Sequence, residues 1–271
     1  MSRAECTRSA ERSWLSRLAQ PRIWRSLISL VVVLLAWELL GRFVLTNRLF
    51  FVPASSVAEA LVSMAADGTL RLHVSASFRS ILFGMALAII VGVAFGVLLG
   101  TSRVVSDYTE VYLNALYATP LVAIAPLLIL WLGIGIASKI AVVFLISVFP
   151  IIISTASGVR NVDRHFIDVA RAFGGKRRQI VAKVLMPAAL PFLLTGVRLA
   201  IGRAIVGVVV GELFGANAGL GYLIYTSGQT FDVPALFAGI VCLAFGGVSL
   251  TWALQALERR LVRWKPAALE G

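Results

Sequence analysis

Asp168-Val-Ala-Arg-Ala-Phe-Gly174, with Val184-Leu-Met-Pro187 following after nine residues, is the stretch on which the reading of this chain turns. It lies in a basic segment, 159–186, between two very hydrophobic runs. Ile167, Ala170 and Phe173 recur at helical spacing, so the segment predicts a short amphipathic helix, about 163–175, with a narrow apolar stripe among charges. Gly174-Gly175 supplies the stop that a helix C-terminus favours. A loop that merely joins two membrane spans needs no such order. An amphipathic helix closed by a glycine turn is what a membrane protein offers to a soluble partner, with its apolar face in a groove and its charges at the rim. The plainer alternative is a basic loop touching anionic lipid headgroups.

Working outward, the composition demands a membrane. The chain has 271 residues, 59% of them hydrophobic and 14% charged, too apolar for a soluble domain. A bilayer core about 30 Å thick needs roughly 20 apolar residues per helix. Uncharged runs of that length occur at 80–102, 111–138, 140–159 and 233–257. Two more carry internal charges: 27–45 holds Glu38 and Arg42, and 189–214 holds Arg198, Arg203 and Glu212. The expected fold is therefore an all-α membrane protein with six transmembrane helices. Strand alternation is nowhere sustained, which argues against a membrane β-barrel.

The formal net charge of +12 invites a nucleic-acid reading, but the placement of the charges opposes it. With the N-terminus inside and six spans, the segments 1–25, around Arg103, 159–186 and 258–271 hold 18 of the 25 Lys and Arg residues. That is the positive-inside bias of an inner-membrane protein with both termini cytoplasmic. Arg48, Arg71, Arg79 and Lys139 are expected on the outside. The domain plan is a cytoplasmic tail (1–25), a transmembrane domain (26–257) and a second cytoplasmic tail (258–271). The first span follows an arginine-rich tail without a small-residue cleavage site and reads as a retained signal anchor. Cys6, in the tail, and Cys242, in the last span, fall in different environments and form no disulfide framework.

Between the first two spans, Pro53-Ala-Ser-Ser56 begins a short external helix. Ser56 and Glu59 fit a capping box, Val57, Leu61 and Met64 share a face, and Gly68 ends it. Gly92, Gly96 and Gly100, and again Gly207, Gly211 and Gly215, recur at four-residue spacing, the device that lets helix backbones approach closely in lipid. Pro120, Pro126 and Pro150 interrupt the third and fourth spans. The glycine-rich stretch 215–224 suggests a turn leading into a partial helix that dips back over the bundle.

Chemistry is sparse. Nothing reads G-x4-G-K-[ST], so ATP, if used, is bound by another chain. There is no G-x-S-x-G or H-E-x-x-H, and His73 and His165 stand apart from any carboxylate or cysteine cluster, so no metal or catalytic site is expected. Glu38 and Arg42, four apart, neutralise each other on one helix. Arg198 and Glu212 lie about 40° apart around their helix but roughly 21 Å apart along it, so they cannot pair, and Arg203 points the other way. Each needs a partner elsewhere, either a structural ion pair or a solute in an aqueous path.

The opening stretch resembles the E-A-A-x3-G-x9-I-x-L-P pattern of bacterial ABC-importer membrane subunits, with Asp168 for Glu, Val169 and Ala170 for the two Ala, Gly174 for Gly, and Val184, Met186 and Pro187 for Ile, Leu and Pro. With 118–126, 130–135, 187–191, 195–198 and 211–222, it is similar to the nitrate/sulfonate/taurine permeases over roughly residues 50–260. The resemblance implies a type I importer: two copies of this chain, two cytoplasmic ATPase subunits binding ATP-Mg, and an external solute-binding protein. It makes Asp168, Val169, Ala170, Arg171, Phe173, Gly174 and Pro187 the coupling residues. The chain itself is then no enzyme and carries no cofactor. The surplus of Arg198 and Arg203 over Glu212 points to an anionic solute. The rival reading, an ion-gradient transporter or channel, needs an inverted repeat or buried relay carboxylates.

Overall fold

The computed structural model describes residues 21–44, 47 and 49–262, and every regular element among them is helical. Cys6 and most of the two expected tails lie outside the described residues. In chain order the elements are α1 (Pro21–Leu39, continued by a π turn Leu40–Val44), α2 (Ala54–Ala66), α3 (Thr69–Thr101), α4 (Arg103–Ala118), a 3₁₀ turn (Leu121–Ile124) with α5 (Ala125–Leu132), α6 (Ile136–Arg160), α7 (Arg164–Ala172), α8 (Arg177–Ile180, continued by a π turn Val181–Leu185), α9 (Met186–Gly215), α10 (Leu220–Gln229) and α11 (Val233–Leu261).

Five helical segments are long and apolar enough to cross a membrane, and α4 with the α5 segment passes the same test as a pair bent by 83°. The glycine contacts decide how to count that pair. A Cβ on Gly84, Gly92, Gly96 or Gly100 of α3 would meet Val143, Ile151, Thr155 or Val159 of α6, at 2.5–2.8 Å in every case. Both positions advance together, so α3 and α6 run parallel. Gly196, Gly207 and Gly211 of α9 face Ser154, Val143 and Lys139, in the reverse order, so α9 runs antiparallel to α6. Two parallel helices joined in sequence require a return crossing, and the bent pair supplies it. The bundle therefore has six crossings.

The elements differ from the expected boundaries in instructive ways. The third span begins at Arg103, not 111, and is broken beside Pro120, whose ring removes a backbone donor. The second begins eleven residues earlier than the hydropathy implied, so Arg71 and Arg79 belong to α3 and Lys139 to α6. The fifth is continuous with α8, and the π turn absorbs Pro187 by pairing Met186 N–H with the Val181 carbonyl. Pro150 stays inside α6.

The core sits where α6 is clasped between α3 and α9. Ala88, Val143, Ile151, Ala200, Ala204 and Val208 are all fully enclosed there. At the opposite extreme α1 has no buried residue from Leu27 onward, as expected of a span facing lipid. It is pinned at its C-terminal end. Trp37 packs against Phe51 and Phe237 with centroids 6.4 and 5.7 Å away and donates its indole N–H to the Val52 carbonyl at 3.0 Å.

The expected capping box of the external helix is not used. Pro53 is the N-cap of α2 and gives no side-chain bond. Glu38 of α1 does the work instead, accepting from Ser55 N–H (3.0 Å) and Ser55 Oγ (2.9 Å) while paired with Arg42. A carboxylate on a first-turn amide is the favourable arrangement at a helix N-terminus. Val57 and Met64 are buried as the shared face required, and Gly68, at φ 81, turns the chain into α3. Asp67 accepts Thr69 N–H at 2.8 Å, which holds its carboxyl below the usual range.

An exposed helix at one end and a gripped turn at the other

At the end of the bundle where α3 and α6 finish, α7 forms as the sequence implied. Asp163 caps it, accepting His165 N–H at 2.9 Å. It ends in two nested bonds: Gly174 N–H to the Arg171 carbonyl and Gly175 N–H to the Ala170 carbonyl, both 2.9 Å. Gly174 takes φ 73, the left-handed conformation that this stop requires. A Cβ on Gly175 would lie 2.6 Å from the Ala170 oxygen, so both glycines are needed, for different reasons.

The apolar residues of α7 are divided differently from the expected stripe. Ile167 and Ala170 turn inward and pack with Val97, Val162, Val181 and Val184 around the buried Val159, Ile180, Leu185 and Ala189. Phe173 does not join them, and is 88% exposed. It stands on a second face with Phe166 (60%) and Val169 (42%), at the i, i+3, i+7 spacing of one helical stripe. Asp168 and Arg171 are exposed and 3.5 Å apart. Pro187 is exposed just after the π turn that accommodates it. The second half of the motif thus holds α7 against the bundle through Val184, while the first half presents a free apolar face.

The three ionisable residues that the sequence set in the fifth span each find a partner. Arg198 pairs with Glu258, tying α9 to α11. Arg203 donates to the Tyr117 hydroxyl at 2.7 Å with its guanidinium carbon 4.5 Å from the same ring's centroid, tying α9 to the last turn of α4 beside the break.

Glu212 is fully enclosed, at the far end of the bundle from α7. Its carboxylate accepts from Ser77 Oγ (2.8 and 2.9 Å) and from Gly221 N–H (2.8 Å). Ser77 Oγ in turn accepts Leu220 N–H at 2.8 Å, His73 Nδ1 accepts Gly219 N–H at 3.1 Å, and Lys139 Nζ donates to the Ala218 carbonyl at 3.2 Å. Four side chains from α3, α6 and α9 therefore grip the backbone of residues 218–221. That grip aims α10 back along the bundle, as the glycine-rich stretch suggested. His73 and Lys139 were given no part in it by the sequence, because they lie 146 and 79 residues from the groups they hold. The one available signal was a carboxylate set close before a run of glycines.

A family model described as the binding-protein-dependent transport system inner membrane component matches residues 88–263. The putative aliphatic sulfonates transport permease protein of Bacillus subtilis is 32% identical over 241 residues, spanning 89% of this chain and 87% of the relative. The taurine transport system permease protein TauC of Escherichia coli is 32% identical over 244 residues, spanning 88% and 89%. Among solved structures, a chain of the inward-facing MetNI methionine ABC transporter superposes with a TM-score of 0.63 over 71% of this chain and 95% of that one, at 22% identity. That likeness carries the fold, and the sequence relatives carry the family. Six crossings, the glycine-packed bundle and a family match over most of the chain agree: this protein belongs to the inner membrane components of binding-protein-dependent transport systems, as a permease subunit of an ABC importer.

Proposed function

We propose that two copies of this chain form the path of an importer for a small anionic solute of the sulfonate or taurine type. Two separate cytoplasmic ATPase subunits drive it, and an external solute-binding protein delivers the solute. The single observation that carries the coupling is the split of α7. Ile167 and Ala170 fix the helix to the bundle, and Phe166, Val169 and Phe173 remain free on the other face. Aromatic anchors ringed by charges are what a groove on a soluble partner recognises. The excess of basic residues in 159–186 supports a cytoplasmic setting for this end. ATP-driven approach of the two ATPases would then move α7 as a rigid body. Through Val184 and the continuous α8–α9 segment, that movement would tilt the spans that line the path.

The names of the relatives supply the solute class, and one charge supports it. Arg198 is neutralised by Glu258, whereas Arg203 faces an uncharged phenol and keeps its positive charge beside the broken span. A lone cation on the path lowers the barrier to an anion. Glu212 acts in the grip on the 218–221 turn. The ion-gradient reading loses ground for the same reason, since Glu38 and Glu212 are committed to backbone amides. Co-purification tests the coupling: a tagged permease retains an ATPase subunit, and a variant carrying both Phe166→Ser and Phe173→Ser loses it. Undiminished retention by the double variant contradicts the docking assignment.

A further inference from the structure

Beneath α7, on the side turned away from its free aromatic face, lies an open cavity of about 610 Å³. Its walls come from the last turn of α3 (Gly100, Thr101), the last turn of α6 (Val159), α7 and the α8 segment. Its chemistry is divided. Arg171 and Arg177 stand at the polar side, and Val159, Ile180, Val181 and Leu185 form an aliphatic floor. Arg171 has only an exposed ion pair with Asp168, of the kind that contributes little, and Arg177 makes no ion pair among the described residues. Both guanidinium groups are thus available to an incoming anion.

We infer that this cavity binds the phosphate headgroup of an anionic membrane lipid, with an acyl chain laid on the aliphatic floor. Two spans end at the cavity wall, which sets it at the depth where lipid phosphates lie. Guanidinium groups suit phosphate because they present paired donors. A free phosphate ion would gain nothing from the four aliphatic side chains, whereas a lipid uses both halves of the site. Basic pockets between spans bind anionic headgroups in this way. The cavity opens between α7 and the spans, so a lipid phosphate shared by Arg171 and Arg177 would join α7 to α8 and steady the helix. The site is independent of which solute is carried.

Lipid retained by the full-length protein, purified from the membrane in mild detergent, tests the inference by native mass spectrometry. The wild type is expected to keep phosphatidylglycerol added at equal concentration with phosphatidylcholine. Arg177→Gln should weaken that retention about fivefold, the effect of one basic residue near a lipid surface. Arg177→Lys, which keeps the charge but loses the paired donors, should weaken it less than Arg177→Gln, and Arg259→Gln, a basic residue at the end of α11, should leave it unchanged. Equal retention in all four proteins overturns the site. Displacement of the lipid by millimolar inorganic phosphate overturns the lipid assignment, since it would show that the aliphatic floor adds nothing.

Discussion

A Cβ on Gly219 would lie 2.1 Å from the carboxyl carbon of Glu212, so the turn and the buried carboxylate meet only because residue 219 has no side chain. Gly219 also holds φ 141, outside the range comfortable for other residues. The contact joins the end of α9 to the start of α10 and fixes where α10 sits. Gly219→Ala should therefore destabilise the protein by about 1–3 kcal/mol through overpacking. Glu212→Ala should cost a similar amount by leaving Ser77 Oγ–H and Gly221 N–H buried without an acceptor. Glu212→Gln keeps an acceptor oxygen and should fall between wild type and Glu212→Ala. Thermal melting of purified protein gives the order, and a Gly219→Ala protein as stable as wild type contradicts the close contact.

The packing of α3 on α6 makes a sharper contrast. A Cβ at Gly96 would meet Thr155 Cβ at 2.6 Å, whereas one at Gly202 of α9 has nothing within 4 Å. Gly202→Ala should be neutral or slightly stabilising, because alanine is the better helix former by about 1 kcal/mol. Gly96→Ala should lower the melting temperature and the yield of folded protein. Equal behaviour of the two variants would remove the basis for the parallel packing, and with it the count of six crossings.

Sidedness is tested by single cysteines in a background without Cys6 and Cys242. Ser63, exposed on α2, should react with an impermeant maleimide on intact cells. Lys176, exposed between α7 and α8, should react only after the cells are opened. Labelling of position 176 alone on intact cells would invert the topology.

The two in-span arginines should behave differently. Arg203→Gln removes an uncompensated charge and should reduce anion uptake severalfold while leaving the ATPase attached. Arg198→Gln leaves Glu258 unpaired and should act first on stability. Unchanged uptake in both variants, or a cationic ligand on the cognate binding protein, would refute the assignment of an anionic solute.

How much of this could be read from the sequence depended on distance along the chain. Contacts within one helix were legible: the stop at Gly174-Gly175, the Glu38–Arg42 pair, and the glycine periods of α3 and α9. The break at Pro120 was marked, but the start of the third span was not legible, because Asp107 and Glu110 keep α4 below the hydropathy of a span and the uncharged run begins only at 111. The cap of α2 was missed because its carboxylate arrives from Glu38, 17 residues away, while Ser56 and Glu59 offered a local pattern that fitted equally well. The outward face of α7 was missed for another reason. Phe166 and Phe173 share one stripe, Ile167 and Ala170 the next, and only the position of the bundle says which faces in.

The central claim is that α7 transmits the work of the ATPase to the bundle. Gly174→Val tests it most directly. No atom lies within 4 Å of the new Cβ, so the substitution acts through the backbone at φ 73 and leaves the core untouched. Holding a β-branched residue in that left-handed conformation costs about 1–2 kcal/mol, enough to undo the stop of a nine-residue helix. Solute uptake by cells carrying wild type or Gly174→Val, normalised to permease in the membrane, is the measurement. The account predicts normal membrane levels with uptake abolished. Full uptake at normal levels would contradict it.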